Sequence, residues 1–378
     1  MLEKLYDANN LIKAFNDTKK ASMWKESTQR YEINLLKNIC KTQSDFKSGE
    51  YKQKEFYTFK INERGHKRLI KSLHIYDRVI QRSLCDNILV PELKKYLIYD
   101  NGASLKNKGV SFTRKRFDMH LQKYIRKHGT EGYILQIDFK KFFDNIPHSK
   151  LTELVGEKIN DYDVMELVKY IVSTFKIDVS YLNDKEFKEC YNNVYNSLEH
   201  KESDEGIKYM NKSLGIGSQI SQISGIFYPT LIDNYCKIVR QQKYYGRYMD
   251  DIYIINNFKD ELKNILEEIE NISKDMGLFI NYKKTHITKL KHGFTFLKTR
   301  YIITDSGKTI KKIPRDTITR ERRKLKKFKR LLSENKITLK EIKDQYKSWK
   351  NNFKKFNCYK TIKNMDKLFN SLYKDINN

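Results

Sequence analysis

The sequence predicts an α+β fold, a small mixed sheet backed by helices and flanked by more helices. Three observations predict it. Apolar runs of strand length are interleaved with stretches of helical period. Two aromatic-rich apolar segments in "YYGRYMDDIYIINNF" (244–258) flank a pair of aspartates and read as a hairpin. From 305 onward the chain reads as helical and strongly basic.

Taken in order, a helical, basic N-terminal third ends near Gly129. "EGYILQIDF" (131–139) is rich in strand formers and closes on an acid, and "PHSKLTELVGEKI" after it has helical character. Residues 176–212 are polar and read as an insertion. "LGIGSQISQISGIFYPTLIDNYCKIVRQQ" enters through glycines and keeps a helical apolar period through Ile223, Phe227, Leu231 and Tyr235. The hairpin follows. "KDELKNILEEIENISKDMG" is an amphipathic helix that Gly277 ends as a C-cap. "LFINYKKTHITKL" and "GFTFLKTRYIIT" read as strands. The boundaries this implies are 1–130, 131–304 with the insertion, and 305–378. No repeat and no Ser/Gly-rich linker interrupts them.

Lys plus Arg total 75 and Asp plus Glu 47, a net charge of +28 over 378 residues. So large an excess calls for a polyanionic partner, bound by phosphate neutralisation and counterion release. "KKIPRDTITRERRKLKKFKR" (311–330) holds eleven of the cations and is the densest such cluster. The 26 Tyr and 20 Phe suit base stacking, although most belong in a core. No apolar run reaches 18 residues and the N-terminus lacks a signal-peptide core, so the expectation is a cytoplasmic protein without membrane association. Cys40, Cys85, Cys190, Cys236 and Cys358 form no CxxC or zinc-type spacing and read as reduced thiols.

Adjacent Asp250 and Asp251 are, by turn statistics alone, a solvated bend. Asp138, at the end of "YILQID", changes that reading. Three carboxylates at neighbouring strand ends repel unless a cation joins them. Mg²⁺ takes carboxylate and phosphate oxygens. Two such ions about 3.5–4 Å apart hold the attacking and leaving oxygens of an in-line phosphoryl transfer.

"YMDD" (248–251) resembles the polymerase signature of reverse transcriptases. "LQIDFKKFFDNIPH" (135–148) and "GIGSQISQ" (215–222) resemble that family's first and second palm motifs, and "RLIKSLHIYDRVIQRSL" (68–84) its fingers motif. "INYKKTHI" (280–287) and "GFTFLKT" (293–299) resemble the fourth motif and the primer grip. The motifs occur in the family's order and span roughly 60 to 305. The resemblance implies a right-hand polymerase: N-terminal extension and fingers, a palm with a small antiparallel sheet, and a basic helical thumb. It implies catalysis by Asp138, Asp250, Asp251 and Lys284. Two Mg²⁺ ions, or Mn²⁺ in their place, would sit on the three aspartates and the Phe139 carbonyl. Lys284 would protonate departing pyrophosphate, its neighbour Lys283 being the other candidate. Arg68 and Arg78 would grip the dNTP triphosphate, as guanidinium forks suit phosphate; without the motif both are surface charges. Phe143 stands at the aromatic gate that crowds a ribose 2′-hydroxyl, with core packing as its other role. Gly217 would let backbone approach the nucleotide, with Ser221 and Gln222 near the template base. Met249 would pack at the primer end or fill the turn. Arg322, Arg323, Lys326 and Lys327 would bind nucleic acid.

One departure concerns the second palm motif, where Gly215, Ile216 and Gly217 replace the common Pro-Gln-Gly. That change resembles diversity-generating retroelement enzymes, where it goes with error-prone copying, and "SWKNNFKKFNCYKT" (348–361) resembles a segment of the same enzymes. Neither an RNase H set nor an HNH-type cluster is present, so the expectation is a stand-alone bacterial-type reverse transcriptase acting in antiphage defence. Its partners would be an RNA template, a DNA or RNA primer, dNTPs and a co-encoded non-coding RNA. The alternatives are a diversity-generating enzyme, a degenerate nucleic-acid-binding protein, and an RNA-dependent RNA polymerase.

Overall fold

A computed structural model describes residues 1–63, 66–183, 185–186, 200–202 and 208–374. Most of the expected insertion, with Cys190, lies outside the described residues. The twelve described strands are β1 (Tyr57–Glu63), β2 (His66–Ser72), β3 (Tyr133–Ile137), β4 (Ile177–Asp178), β5 (His200–Glu202), β6 (Lys208–Met210), β7 (Tyr245–Tyr248), β8 (Asp251–Asn256), β9 (His286–Lys289), β10 (Phe294–Phe296), β11 (Thr299–Ile303) and β12 (Thr309–Lys312). They form small sheets in the orders β1-β2, β4-β6-β5, β7-β8-β3-β9 and β10-β11-β12. No described helix is long and apolar enough to cross a membrane.

The chain divides into two compact units. The first comprises Met1–Thr113, Ile137–Ile252 and Asn264–Thr285. Its N-terminal helices Ala8–Lys19, Glu26–Ile33 and Leu35–Lys47 bury Leu11, Phe15, Tyr31 and Ile39. Phe15 and Tyr31 stack with centroids 5.1 Å apart. Asp7 starts the first of these helices, its carboxylate accepting from the Asn10 N–H at 3.0 Å. Helix Ile75–Leu84 carries buried Val79, Ile80 and Leu84. The antiparallel hairpin β1–β2 precedes it, with Ile61 opposite Arg68.

Helix Gln219–Phe227 buries Ile220, Ile223, Ile226 and Phe227. The expected continuous helix stops there, because proline has no N–H to continue the ladder. Pro229 instead caps a new segment, Thr230–Asn234, followed by a π-turn at Tyr235–Val239. The restart shifts the helical phase, and Leu231, expected on the apolar face, is exposed.

The second unit comprises Arg114–Gln136, Tyr253–Lys263 and His286–Asn378. Within it β3 lies antiparallel to β9, from Tyr133 opposite Lys289 to Gln136 opposite His286. Most of "LFINYKKTHITKL" is not strand, since only His286–Lys289 pairs as one. An aromatic cluster holds this region: Phe117 contacts Tyr253, Phe296 and Tyr301 with centroids 4.8–4.9 Å apart. Such pairs add about 0.5–1.5 kcal/mol each beyond area burial. Helices Arg315–Ser333, Leu339–Asn351 and Tyr359–Tyr373 share a core of Leu325, Ile342, Tyr346, Trp349, Phe353, Met365 and Tyr373. Trp349 and Phe353 of "SWKNNFKKF" are therefore packing residues. Thr338 and Glu341 form a capping box at the start of the middle helix.

Candidate active site

Every acid of the expected site lies in the first unit. Asp138 follows β3 directly. Its Oδ1 accepts from the Asn281 amide at 2.8 Å and its Oδ2 from the Lys284 ammonium at 3.1 Å. The backbone is fixed as well. The Asp138 N–H donates to Thr285 Oγ1 at 3.2 Å, and its carbonyl accepts from the Asn281 N–H at 2.8 Å. The "INYKKT" segment thus cradles the first acid without being a strand. Phe139 is buried and bridges Ile280.

Asp250 and Asp251 come from the β7–β8 turn. Met249 enters it in left-handed backbone, φ 56°. Both acids are half-buried. Burial raises the Asp250 carboxyl above its ordinary range, and the charge of Asp138 adds to this. Burial, then Asp250, then Asp138 push Asp251 up to about 7. The charge of Asp138 therefore disfavours ionisation at both acids of the turn, and that of Asp250 disfavours it at Asp251. As donors they suit a hard divalent ion. Among the described residues, no group of three His, Cys, Asp or Glu side chains stands in metal-holding geometry. Asp138 is engaged by Asn281 and Lys284 instead.

Phe143 is half-buried. Its ring meets Phe142 edge-on at 5.3 Å, and its carbonyl accepts from the Leu214 N–H at 2.9 Å. A Cβ placed on Gly225 would lie 2.8 Å from Phe143 Cε1 and 3.3 Å from Met249 Sδ. Glycine at 225 therefore leaves the space that this ring occupies.

Arg78, Gly217 and Gln222 line one cavity of about 900 Å³, along with Gln81, Arg82, Lys13 and Lys106. That volume is of the size small-ligand pockets have. Burial lowers the Arg78 pKa, and no carboxylate contributes to the shift. Gly217 has φ 111°, a left-handed value suited to glycine. Ser221 lies on the helix's inner face, 1% exposed, and does not line the cavity. Arg68 sits on β2, and its side chain lies outside the described residues. Arg322, Arg323, Lys326 and Lys327 are exposed on helix Arg315–Ser333 in the second unit.

Several residues escaped the sequence reading. Asn281 was inside a quoted motif, but its contact with Asp138 spans 143 residues. Ser218 donates to Gln81 Oε1 at 2.7 Å, fastening the glycine-containing entry to helix Ile75–Leu84. Arg247 and Asp233 form a fully buried ion pair at 2.6 Å. Its one available signal was a lone Arg inside an apolar strand.

The sequence of residues 52–301 matches the family described as reverse transcriptase (RNA-dependent DNA polymerase). The chain belongs to that family, and its mixed helices and small antiparallel sheets are the right-hand polymerase fold. The enzyme class that this family's description names is RNA-directed DNA polymerase, a nucleotidyltransferase. A Saccharomyces cerevisiae protein named for COX1/OXI3 intron 2 is 25% identical over 208 residues, 44% of this chain. The chain spans 23% of that relative's length. Apo telomerase from Candida tropicalis, truncated from its C-terminal domain, gives a TM-score of 0.45 at 16% identity, covering 73% of this chain and 60% of that one. Telomerase from Candida albicans, in complex with a TWJ fragment of telomeric RNA, gives 0.48 at 15% identity, with 85% and 59% covered.

Proposed function

We propose that this chain copies an RNA template into DNA from dNTPs at Asp138, Asp250 and Asp251, and that it does so in antiphage defence. The observation that carries the catalytic part is the half-buried β7–β8 turn, where burial first, then the charges of Asp250 and Asp138, push the Asp251 carboxyl up to about 7. Carboxylates held together at this cost fit a site that works with cations. Asp138, Asp250 and the Phe139 carbonyl would hold two Mg²⁺, or Mn²⁺, with Asp251 completing the site. Bound there, the ions would supply charge stabilisation to the phosphoryl oxygens.

This chain's own residues do the rest. Arg68 and Arg78 orient the triphosphate, and Gly217 and Gln222 border it. Ser221 lies buried on helix Gln219–Phe227, next in sequence to Gln222. The Lys284 ammonium, hydrogen-bonded to Asp138 in this structure, protonates the leaving pyrophosphate. Phe143 excludes a 2′-hydroxyl, favouring dNTPs. The exposed cations of Arg315–Ser333 track the nucleic-acid backbone. The fingers, palm and thumb follow the boundaries 1–130, 131–304 and 305–378, and the enzyme works in the cytoplasm with a co-encoded RNA.

The test is dNTP incorporation on a primed RNA template with Mg²⁺. Asp250→Ala abolishes it while leaving the fold intact; equal incorporation by both proteins refutes the acid assignment. A diversity-generating role is the second reading, favoured by Gly215-Ile216-Gly217. An error rate no higher than that of a Pro-Gln-Gly variant removes it. Phage plaque counts on cells expressing wild type or Asp250→Ala decide the defence role.

A further inference from the structure

We propose that Arg247 is a positioning residue for the acidic turn: its buried guanidinium holds the Met249 carbonyl and so sets where Asp250 stands. The inference rests on the reading of Asp250 as a catalytic acid.

Arg247 is 0% exposed. Its Nε and one terminal nitrogen reach the Asp233 carboxylate at 3.0 and 2.6 Å. The same terminal nitrogen donates to the Ile226 carbonyl at 2.8 Å, and the other donates to the Met249 carbonyl at 3.0 Å. Asp233 is itself fixed by the Tyr245 hydroxyl at 2.5 Å. The Arg247 backbone is pinned too. Its N–H donates to the Asp100 carbonyl at 3.1 Å, and its carbonyl accepts from the Gly102 N–H at 2.9 Å.

What this clamp restrains is a strained peptide. Met249 at φ 56° adopts a left-handed conformation that is unfavourable for a side-chain-bearing residue and that persists only where the surroundings impose it. The Met249 carbonyl belongs to the peptide that leads into Asp250. A donor fixed on that oxygen fixes the orientation of the next residue.

Stability alone does not explain the pair. Replacing a buried ion pair with apolar residues of similar volume is often neutral or stabilising. An apolar pair cannot donate to the Met249 carbonyl, however, and that separates the two roles.

The experiment uses the full chain on poly(rA)·oligo(dT) with dTTP and Mg²⁺, and compares wild type, Arg247→Lys and the double variant Asp233→Leu/Arg247→Met. The double variant keeps its Tm within a few degrees and loses kcat about 10- to 100-fold, the scale on which a shift near 1 Å acts. KM for dTTP stays within about twofold, because the loss falls on the reacting geometry. Arg247→Lys keeps the charge facing Asp233 with fewer donors and regains part of kcat. A folded double variant with wild-type kcat overturns the proposal. Should the double variant unfold, Arg247→Lys decides: lower kcat at unchanged KM supports the proposal, and unchanged kcat overturns it. Asp250→Ala, run in parallel, keeps the two readings apart. If it incorporates dTTP normally, the acid assignment fails; if it is inactive while the Arg247 variants are not, only the positioning role fails.

Discussion

The acidic turn of the first unit and the basic helix of the second treat like charges in opposite ways. Asp138, Asp250 and Asp251 are drawn together and partly buried, and two of them are pushed toward protonation. Arg322, Arg323, Lys326 and Lys327 stand out in solvent along Arg315–Ser333. Repulsion costs little where water screens it, and much more where burial lowers the local dielectric. On the proposed reading, the contrast separates a site for chemistry on a few atoms from a surface that would hold a long polyanion.

Lys284 sharpens the acidic side of that contrast most. If it donates the proton, as proposed, it is worth about 10²–10³ in kcat, within the usual range for general acids. Lys284→Ala should lose that much in single-turnover incorporation, and Lys283→Ala almost none. Equal losses would return the two lysines to the ambiguity the sequence left.

The basic side is tested by salt. Neutralising Arg322, Arg323, Lys326 and Lys327 together should weaken binding of a primed RNA about 10- to 100-fold at low salt. It should also flatten the log K against log salt slope by about 3, at roughly 0.7–0.9 per lost phosphate contact. An unchanged slope would show that the helix does not follow the backbone.

A smaller effect concerns the gate. Phe143→Ala should raise NTP use relative to dNTP about tenfold, read as the ratio of kcat/KM values. Gly225→Ala, which crowds the same ring and the Met249 sulfur, should alter that ratio as well. A ratio unmoved by either change would make Phe143 a packing residue.

The smallest effect is thermodynamic. With its folded pKa raised to about 7, Asp251 binds more protons folded than unfolded between its ordinary pKa and 7. Stability is therefore lost as pH rises through that window. In metal-free protein, Asp251→Asn should raise Tm by about 2 °C above pH 7, allowing for screening of a half-buried group. The gain should fade toward pH 4. A gain that does not vary with pH would mean that Asp251 is not held against its charge.

Much of this was legible in sequence because it is local. The β7–β8 hairpin shows in its two aromatic-rich apolar segments and the Asp-Asp pair between them. The helix end near Gly129 and the C-cap at Gly277 both fall on glycines with the positive φ that glycine alone adopts freely. The failures are equally local. Pro229 interrupted a helix whose apolar period ran past it. In "LFINYKKTHITKL", strand-forming composition hid a loop that wraps Asp138.

The sequence by itself determined the family, the three acids and the excess of positive charge, since each is a matter of residue type and order along the chain. Only the tertiary structure decided which groups meet: Asn281 and Lys284 on Asp138, Gly225 against Phe143, and Arg247 between Asp233 and the Met249 carbonyl. The physical reason is that charge interactions and hydrogen bonds depend on distance in space and on burial, and neither is written in the spacing of residues along the chain.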